Sequence, residues 1–329
     1  MTSKRIQWID AAKCIGIFMV AFGHNWLDSK FCYYFYAFHM PLFFILAGIT
    51  FSTKNDFKTF VIKKSKALLI PYVIFAFCII AFYGVLKSTH EGGYNWEGEL
   101  KAFILQKRHT LLWFLSVLFL SEIFTYLILR LIKSNKTLVL VSIAIILLII
   151  HSLLNLFGLN IFIWNLDLVP LASSFIIIGI LYKNYNHKIL LENSLWYTGI
   201  LLIFSILIVS YNYYHSGKMI DLPGNSFGHY PLFIVGALAA TYSLILVLKK
   251  VSLPQWMIYI GAYSIIFYGF HRFIIELIFI SYGKLGISFE KDEWSGVLLS
   301  ILNVIITIAV LYPISIFINK KCPWLLGKF

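Results

Sequence analysis

Four polar side chains stand inside apolar stretches near the N-terminus: Asp10, Lys13 and His24 in the first stretch and His39 in the second. An ionisable group in a bilayer costs several kcal/mol by insertion scales, so each needs a partner, a water-filled cavity or a function. On a helix turning 100° per residue, Lys13 and His24 are three turns apart within about 20°, and Asp10 lies within about 60° of the same line. The rise from Lys13 to His24 is roughly 16 Å. The two groups therefore mark a stripe, not a pair. His24 and His39 fall about equally far from the turn near Phe31 and Cys32, which sets both imidazoles at one depth on antiparallel helices. A neutral imidazole is suited to take a proton from a hydroxyl near pH 7, so His24 is read as a general base.

Further polar groups lie down the chain: Glu122, Asp167 at the lip of a span, and His271, Arg272 and Glu276 close together. Arg272 and Glu276 stand at i and i+4 and can neutralise one another. Ser264, Tyr268 and His271 follow one face of the same helix.

The elements that position these groups must be membrane helices. Of the 329 residues, 60% are hydrophobic and only 12% charged, against the quarter usual in soluble domains. Stretches long enough to cross a bilayer run over 9–27, 33–52, 67–87, 110–130, 137–155, 166–183, 194–213, 229–248, 256–282 and 296–318. The expected fold is an all-α polytopic membrane bundle of about ten spans with both termini cytoplasmic. That topology puts 17 Lys and Arg inside and eight outside, as the positive-inside rule demands. The stretch 15–22 follows Lys4 and Arg5 as in a signal peptide, but it lacks a small-residue cleavage site and is read as a retained span. The longest loop, 88–109, carries Gly92-Gly93 and Trp96 and is expected to pack at the outer surface. The chain 1–329 reads as one transmembrane domain without a soluble appendage.

The formal charge of +13 does not signal nucleic acid, because the cations sit in short clusters such as Lys63-Lys64-Ser65-Lys66 between apolar runs. Cys14, Cys32, Cys78 and Cys322 have no metal-ligand or disulfide spacing, so no metal is expected.

The run Asp10-Ala11-Ala12-Lys13-Cys14-Ile15-Gly16-Ile17 leading to Gly23-His24 resembles the signature of the acyltransferase family 3 membrane proteins, in which a basic residue precedes a histidine by ten intervening positions. Family members usually have arginine where this chain has Lys13. Also similar are Met40-Pro41-Leu42-Phe43-Phe44 with Ala47-Gly48, Lys63-x-x-Lys66 before Ile70-Pro71-Tyr72, Trp113-Phe114-Leu115, and Gly261-x-Tyr263-Ser264-Ile265 leading to Tyr268 and His271. Ala47 stands where a serine is common. The resemblance covers essentially the whole chain and is nearest to stand-alone sugar O-acetylases of the fucose 4-O-acetylase type.

The resemblance implies transfer of an acetyl group from acetyl-CoA, a co-substrate and not a resident cofactor, to a hydroxyl of a glycan or lipid-linked sugar in the cell membrane. On that basis His24, Lys13 and Asp10 are the expected catalytic group. Lys13, Lys63, Lys66 and Tyr72 are expected at the acyl donor, with cations holding the phosphates of CoA. His39, Trp113, Glu122, Tyr268 and His271 are expected to support the site or the acceptor. The alternative is a proton-coupled transporter or flippase of a lipid-linked sugar, since buried charges also mark such pathways. The first-half pair Lys13 and His24 has no counterpart in the second half, and this lack of internal symmetry favours the enzyme.

Overall fold

The computed structural model describes residues 5–87, 94–106, 112–133, 136–159, 163–185 and 195–327. The loop positions Gly92, Gly93, Lys107, Arg108 and His109, together with Lys4, Lys188 and Lys328, lie outside the described residues. Among those described there is no strand, only an isolated bridge between Asp221 and Ser226. Thirteen α-helices follow in order: α1 (Gln7–Gly23), α2 (Ser29–Ile49), α3 (Phe57–Lys64), α4 (Ile70–Lys87), α5 (Trp96–Ile104), α6 (Trp113–Ile132), α7 (Thr137–Leu156), α8 (Val169–Tyr185), α9 (Leu195–Ser216), α10 (Tyr230–Lys250), α11 (Gln255–Ala262), α12 (Ser264–Leu285) and α13 (Trp294–Lys321).

Nine helical stretches among the described residues are long and apolar enough to cross a membrane. They correspond to the second through tenth expected spans. The first span is α1, whose 17 residues rise about 25 Å, at the short end of what crosses a bilayer. The protein is a multi-pass helical membrane protein.

Two features depart from the expected helices. The stretch 256–282 is not one helix but two, α11 and α12, broken at Tyr263 (φ −115°, ψ 23°). The carbonyl of Ala262, at the end of α11, accepts a hydrogen bond from Arg5 Nη2 at 3.1 Å. The freed carbonyl at that helix end is thereby satisfied by a residue far away in the sequence. Conversely, α3 and α4 are joined through a wide π-helical turn at Ser65–Leu69 into one long helix. Asp56 caps its start, accepting the Thr59 N–H at 3.0 Å. Hydrogen bonds from the Thr59 side chain and then its backbone hold the Asp56 carboxyl below the ordinary carboxylate range.

The chain forms two compact units, one of residues 1–46 and 185–316, the other of 47–184 and 317–329. In the first, α1 packs against α10, α11 and α12. Cys14, Ile17 and Ala21 of α1 share a buried core with Ile260, Phe267, Ile275, Val304, Ile308 and Leu311. Small residues on α1 permit this approach, as is usual where membrane helices meet closely. The nearest approach is between Gly261 and the Asp10 carbonyl, where a Cβ would have no room. The start of α2 is fixed to α9 by hydroxyl pairs: Ser29 with Tyr213 (2.7 Å), Tyr33 with Ser210 (3.0 Å) and Tyr34 with Ser205 (2.7 Å).

The second unit is held by polar anchors on α6. Lys64 pairs with the buried Glu122. Arg130 and Tyr126 donate to the carbonyls of Thr53 and Asn55 in the α2–α3 connection, and Lys183 of α8 donates to Phe51 O at 2.8 Å. The α2–α3 connection is therefore pinned by cations whose charges meet carbonyl oxygens.

Candidate functional site

The polar residues of the first unit converge where α1 ends. His24 is the residue after the last turn, half-buried, with its N–H still bonded to the carbonyls of Val20 and Ala21 at 3.2 and 3.3 Å. Arg272 of α12 reaches across to it. Its Nη1 lies 3.4 Å from His24 Nδ1 and donates to His24 O at 3.3 Å, while Nη2 pairs with Glu276 at 3.0 Å. The same guanidinium lies over the Trp26 ring, 4.4 Å from its centroid. Trp26 is in the left-handed region (φ 63°). A bulky side chain there costs on the order of 1–3 kcal/mol, and the guanidinium stacking helps hold it. The expected Arg272–Glu276 pair exists, and it does more than neutralise charge: it grips the segment that carries His24.

Two further imidazoles join the group. The His271 ring centroid is 5.1 Å from that of His24. The His39 ring lies 5.0 Å, centroid to centroid, from that of Tyr36, whose hydroxyl donates to Gly23 O, next to His24. His39 Nδ1 faces Phe35 O at 2.8 Å, and His271 Nδ1 faces Tyr268 O at 2.8 Å. A carbonyl only accepts, so both rings carry their proton on Nδ1 and keep a lone pair on Nε2. A guanidinium only donates, so His24 accepts at Nδ1 and carries its proton on Nε2. One site thus holds imidazoles of both tautomers beside a neutralised cation.

Two residues missed by counting ionisable groups complete the frame. Asn25, fully buried, donates from Nδ2 back to Ala21 O at 2.8 Å and accepts from Asn303 of α13 at 2.8 Å. Asn303, also fully buried, accepts in turn from the Tyr282 hydroxyl at 2.5 Å. Tyr36 lies across Gly23 and donates to its carbonyl at 3.1 Å. Asp28 N–H donates to Lys291 O at 2.9 Å. The short segment bearing His24 is therefore tied to α2, α12, α13 and the α12–α13 connection. Amides and tyrosines carry no charge, so only their depth in apolar stretches marks them in the sequence.

The other expected site residues lie elsewhere. Asp10 is buried and paired with Arg5 at 3.1 Å, and 14 residues of helix place it about 21 Å from His24. Lys13, half-buried, lies within electrostatic range of Asp10. Tyr268 is one turn from His271, with ring centroids 6.3 Å apart.

Lys63, Lys66, Tyr72, Trp113 and Glu122 all belong to the second unit. Lys63 is exposed and donates to Asn55 at 3.3 Å, and Lys66 is exposed. Tyr72 is buried and its hydroxyl donates to Phe103 O, tying α4 to α5. Trp113 opens α6, and Glu122 is taken up by Lys64. Asp167, buried in the turn before α8, is part of the same unit.

The profile of an acyltransferase domain, acyltransferase family 3, matches residues 6–319. The chain belongs to this family. No curated protein and no solved structure matches it. The match spans both units and includes every residue of the histidine group, so the protein is a membrane acyltransferase by family, and the group at the end of α1 is its strongest candidate centre.

Proposed function

We propose that the protein transfers an acetyl group from cytoplasmic acetyl-CoA to a hydroxyl of a glycan or lipid-linked sugar, as an O-acetyltransferase of the cell membrane. The observation that carries this reading is the group His24, His271, Arg272 and Glu276, a set of neutral imidazoles and a compensated cation built into the membrane bundle of an acyltransferase-family chain. Acyl transfer to a hydroxyl needs a lone pair to take the hydroxyl proton and a donor for the developing oxyanion. Both kinds of nitrogen are present. Lys13 serves the phosphates of the donor by charge, and the acceptor meets the thioester beside His24.

The break between α11 and α12 is the one feature that favours a transporter, since discontinuous helices often coordinate ions in such proteins. The end of α11 is instead occupied by Arg5, which leaves that carbonyl committed. The test compares surface glycans, by mass, from cells carrying wild type and His24→Ala. An acetyl increment that depends on His24 is the expected result. Equal acetylation in both would remove His24 from the chemistry, and altered glycan export without any acetyl increment would replace the enzyme by a transporter.

A further inference from the structure

As the histidine of the sequence signature, His24 is the first choice for the base. The hydrogen-bond pattern around it gives a different division of labour. A neutral imidazole has one N–H and one lone pair. His24 Nδ1 faces Arg272 Nη1 at 3.4 Å, a donor without any lone pair. If His24 carried its proton on Nδ1, two N–H groups would face each other beside a guanidinium. His24 therefore spends its lone pair on Arg272 and carries its N–H on Nε2. A side chain in that state can donate a hydrogen bond there but cannot accept a proton at that nitrogen.

The complementary state is found on the neighbouring ring. His271 is buried at 4% exposure, its Nδ1 proton is committed to the carbonyls of Tyr268 and Phe267 at 2.8 and 3.2 Å, and its Nε2 has no hydrogen-bond partner among the described residues. A buried acceptor without a donor costs about 1–3 kcal/mol, and such an atom in a folded protein calls for an explanation. A substrate hydroxyl supplies the missing donor.

We infer that His271 Nε2 is the proton acceptor of the transfer, that His24 Nε2–H is the hydrogen-bond donor to the thioester oxygen, and that Arg272 is the positioning residue that fixes the His24 tautomer. This rests on the acyltransferase reading above. In the step it describes, the acceptor hydroxyl oxygen bonds to the thioester carbonyl carbon while its proton passes to His271 Nε2. The carbonyl oxygen gathers negative charge against His24 Nε2–H, which keeps its proton throughout. The carbon–sulfur bond then breaks, the carbonyl re-forms as the ester, and the departing thiolate takes the proton from His271. The products are the O-acyl ester and free CoA thiol, and both imidazoles return to their starting states. Arg272 stays charged and paired with Glu276, so its hold on His24 does not depend on the reaction's progress.

Glutamine separates the two roles, because its amide N–H mimics Nε2–H as a donor but takes no proton. The full chain in lipid nanodiscs is given radiolabelled acetyl-CoA and membranes of the producing cell, and label in acceptor material is counted. His24→Gln is expected to retain transfer at about one-tenth to one-hundredth of wild type, less than the roughly 100- to 1,000-fold loss seen on deleting an oxyanion donor outright. His271→Gln is expected to lose roughly 100- to 10,000-fold, the contribution of a general base. A second measurement reads the tautomer directly by nitrogen NMR of protein with isotope-labelled histidine, the His24 signals being those that vanish in His24→Gln. Wild type should show His24 protonated on Nε2. Arg272→Leu should mix the tautomers and slow transfer, and Arg272→Lys should restore both.

A His24 protonated on Nδ1, or His24→Gln at background while His271→Gln still transfers, would overturn the assignment. So would full transfer by a stably folded His271→Gln protein, which would make its lone pair a structural one. Absence of transfer by wild type would overturn the acyltransferase reading itself, while the NMR spectra would still decide the tautomers independently.

Discussion

Replacing Asn303 with leucine removes the link between α13 and the segment that carries His24. Leucine matches asparagine in branching and in the number of side-chain heavy atoms, but two groups lose their partner: the buried Asn25 Oδ1 and the half-buried Tyr282 hydroxyl. Asn25 is fully buried, so its oxygen finds no water. The unsatisfied Asn25 oxygen costs about 1–3 kcal/mol if nothing moves, and the half-buried Tyr282 hydroxyl adds less. The cheaper outcome is that Asn25 swings away and takes His24 with it. A misplacement of about 1 Å at a reacting group can cost on the order of 100-fold in rate. Asn303→Leu is therefore expected to lower the thermal midpoint of the detergent-solubilised protein, or to cut acetyl transfer sharply with little change in donor KM. Asn303→Asp keeps the acceptor for Tyr282 and should fall between. A leucine variant as stable and as active as wild type would refute the reasoning, because no route then exists for the lost hydrogen bonds to be felt.

Gly261→Ala places a methyl group against the Asp10 carbonyl, and overpacking of this kind is expected to cost about 1–3 kcal/mol, read as a lower unfolding midpoint. Glu122→Leu leaves the half-buried Lys64 amine without its carboxylate. It should destabilise by less than the roughly 3–5 kcal/mol of a fully buried pair, because Lys64 keeps some access to solvent, while the double change Lys64→Met, Glu122→Leu should recover most of the loss. Lys13→Ala is expected to raise the KM for acetyl-CoA several-fold while the protein still inserts, and an unchanged KM would remove Lys13 from donor binding. The Asp56 carboxyl is held low by its bond to Thr59. Its capping contribution is thus complete above the unfolded value near about 3.9 and is lost as pH falls below that. Hydrogen exchange at the start of α3 should accelerate in that acid range, and Asp56→Ala should abolish the pH dependence.

Much of this arrangement is legible in the sequence because burying an ionised group is expensive, and expense narrows the choices. His24, His39, His271, Arg272 and Glu276 stand out for that reason, and four of the five are within reach of one another by direct contacts. The spans are legible because about 20 apolar residues are needed to cross lipid. The break at Tyr263 is not, because neither proline nor glycine stands at it and the residue that satisfies the exposed carbonyl, Arg5, lies more than 250 positions away. Asn25 and Asn303 are hidden for a related reason. A neutral amide is a modest penalty wherever it sits, and only the tertiary structure brings the two together. Asp10 and Lys13 share a helical face with His24 as expected, yet sharing a face says nothing of nearness along the axis.

The place of α1 in its unit has a consequence for how the chain is made. Helix α1 is made well before two of its partners, α11 and α12, which are synthesised more than 230 residues later. At roughly 5–20 residues per second, that is a wait on the order of tens of seconds. Throughout it, Asp10 has Arg5 for company and Gly16 and Gly23 have α2, but the Asp10 carbonyl lacks the close-packed Gly261. The nascent protein must keep this helix waiting at the translocation machinery or among lipids until α11 and α12 arrive, so the histidine group, which draws His271 and Arg272 from α12, is among the late parts of the first unit to close.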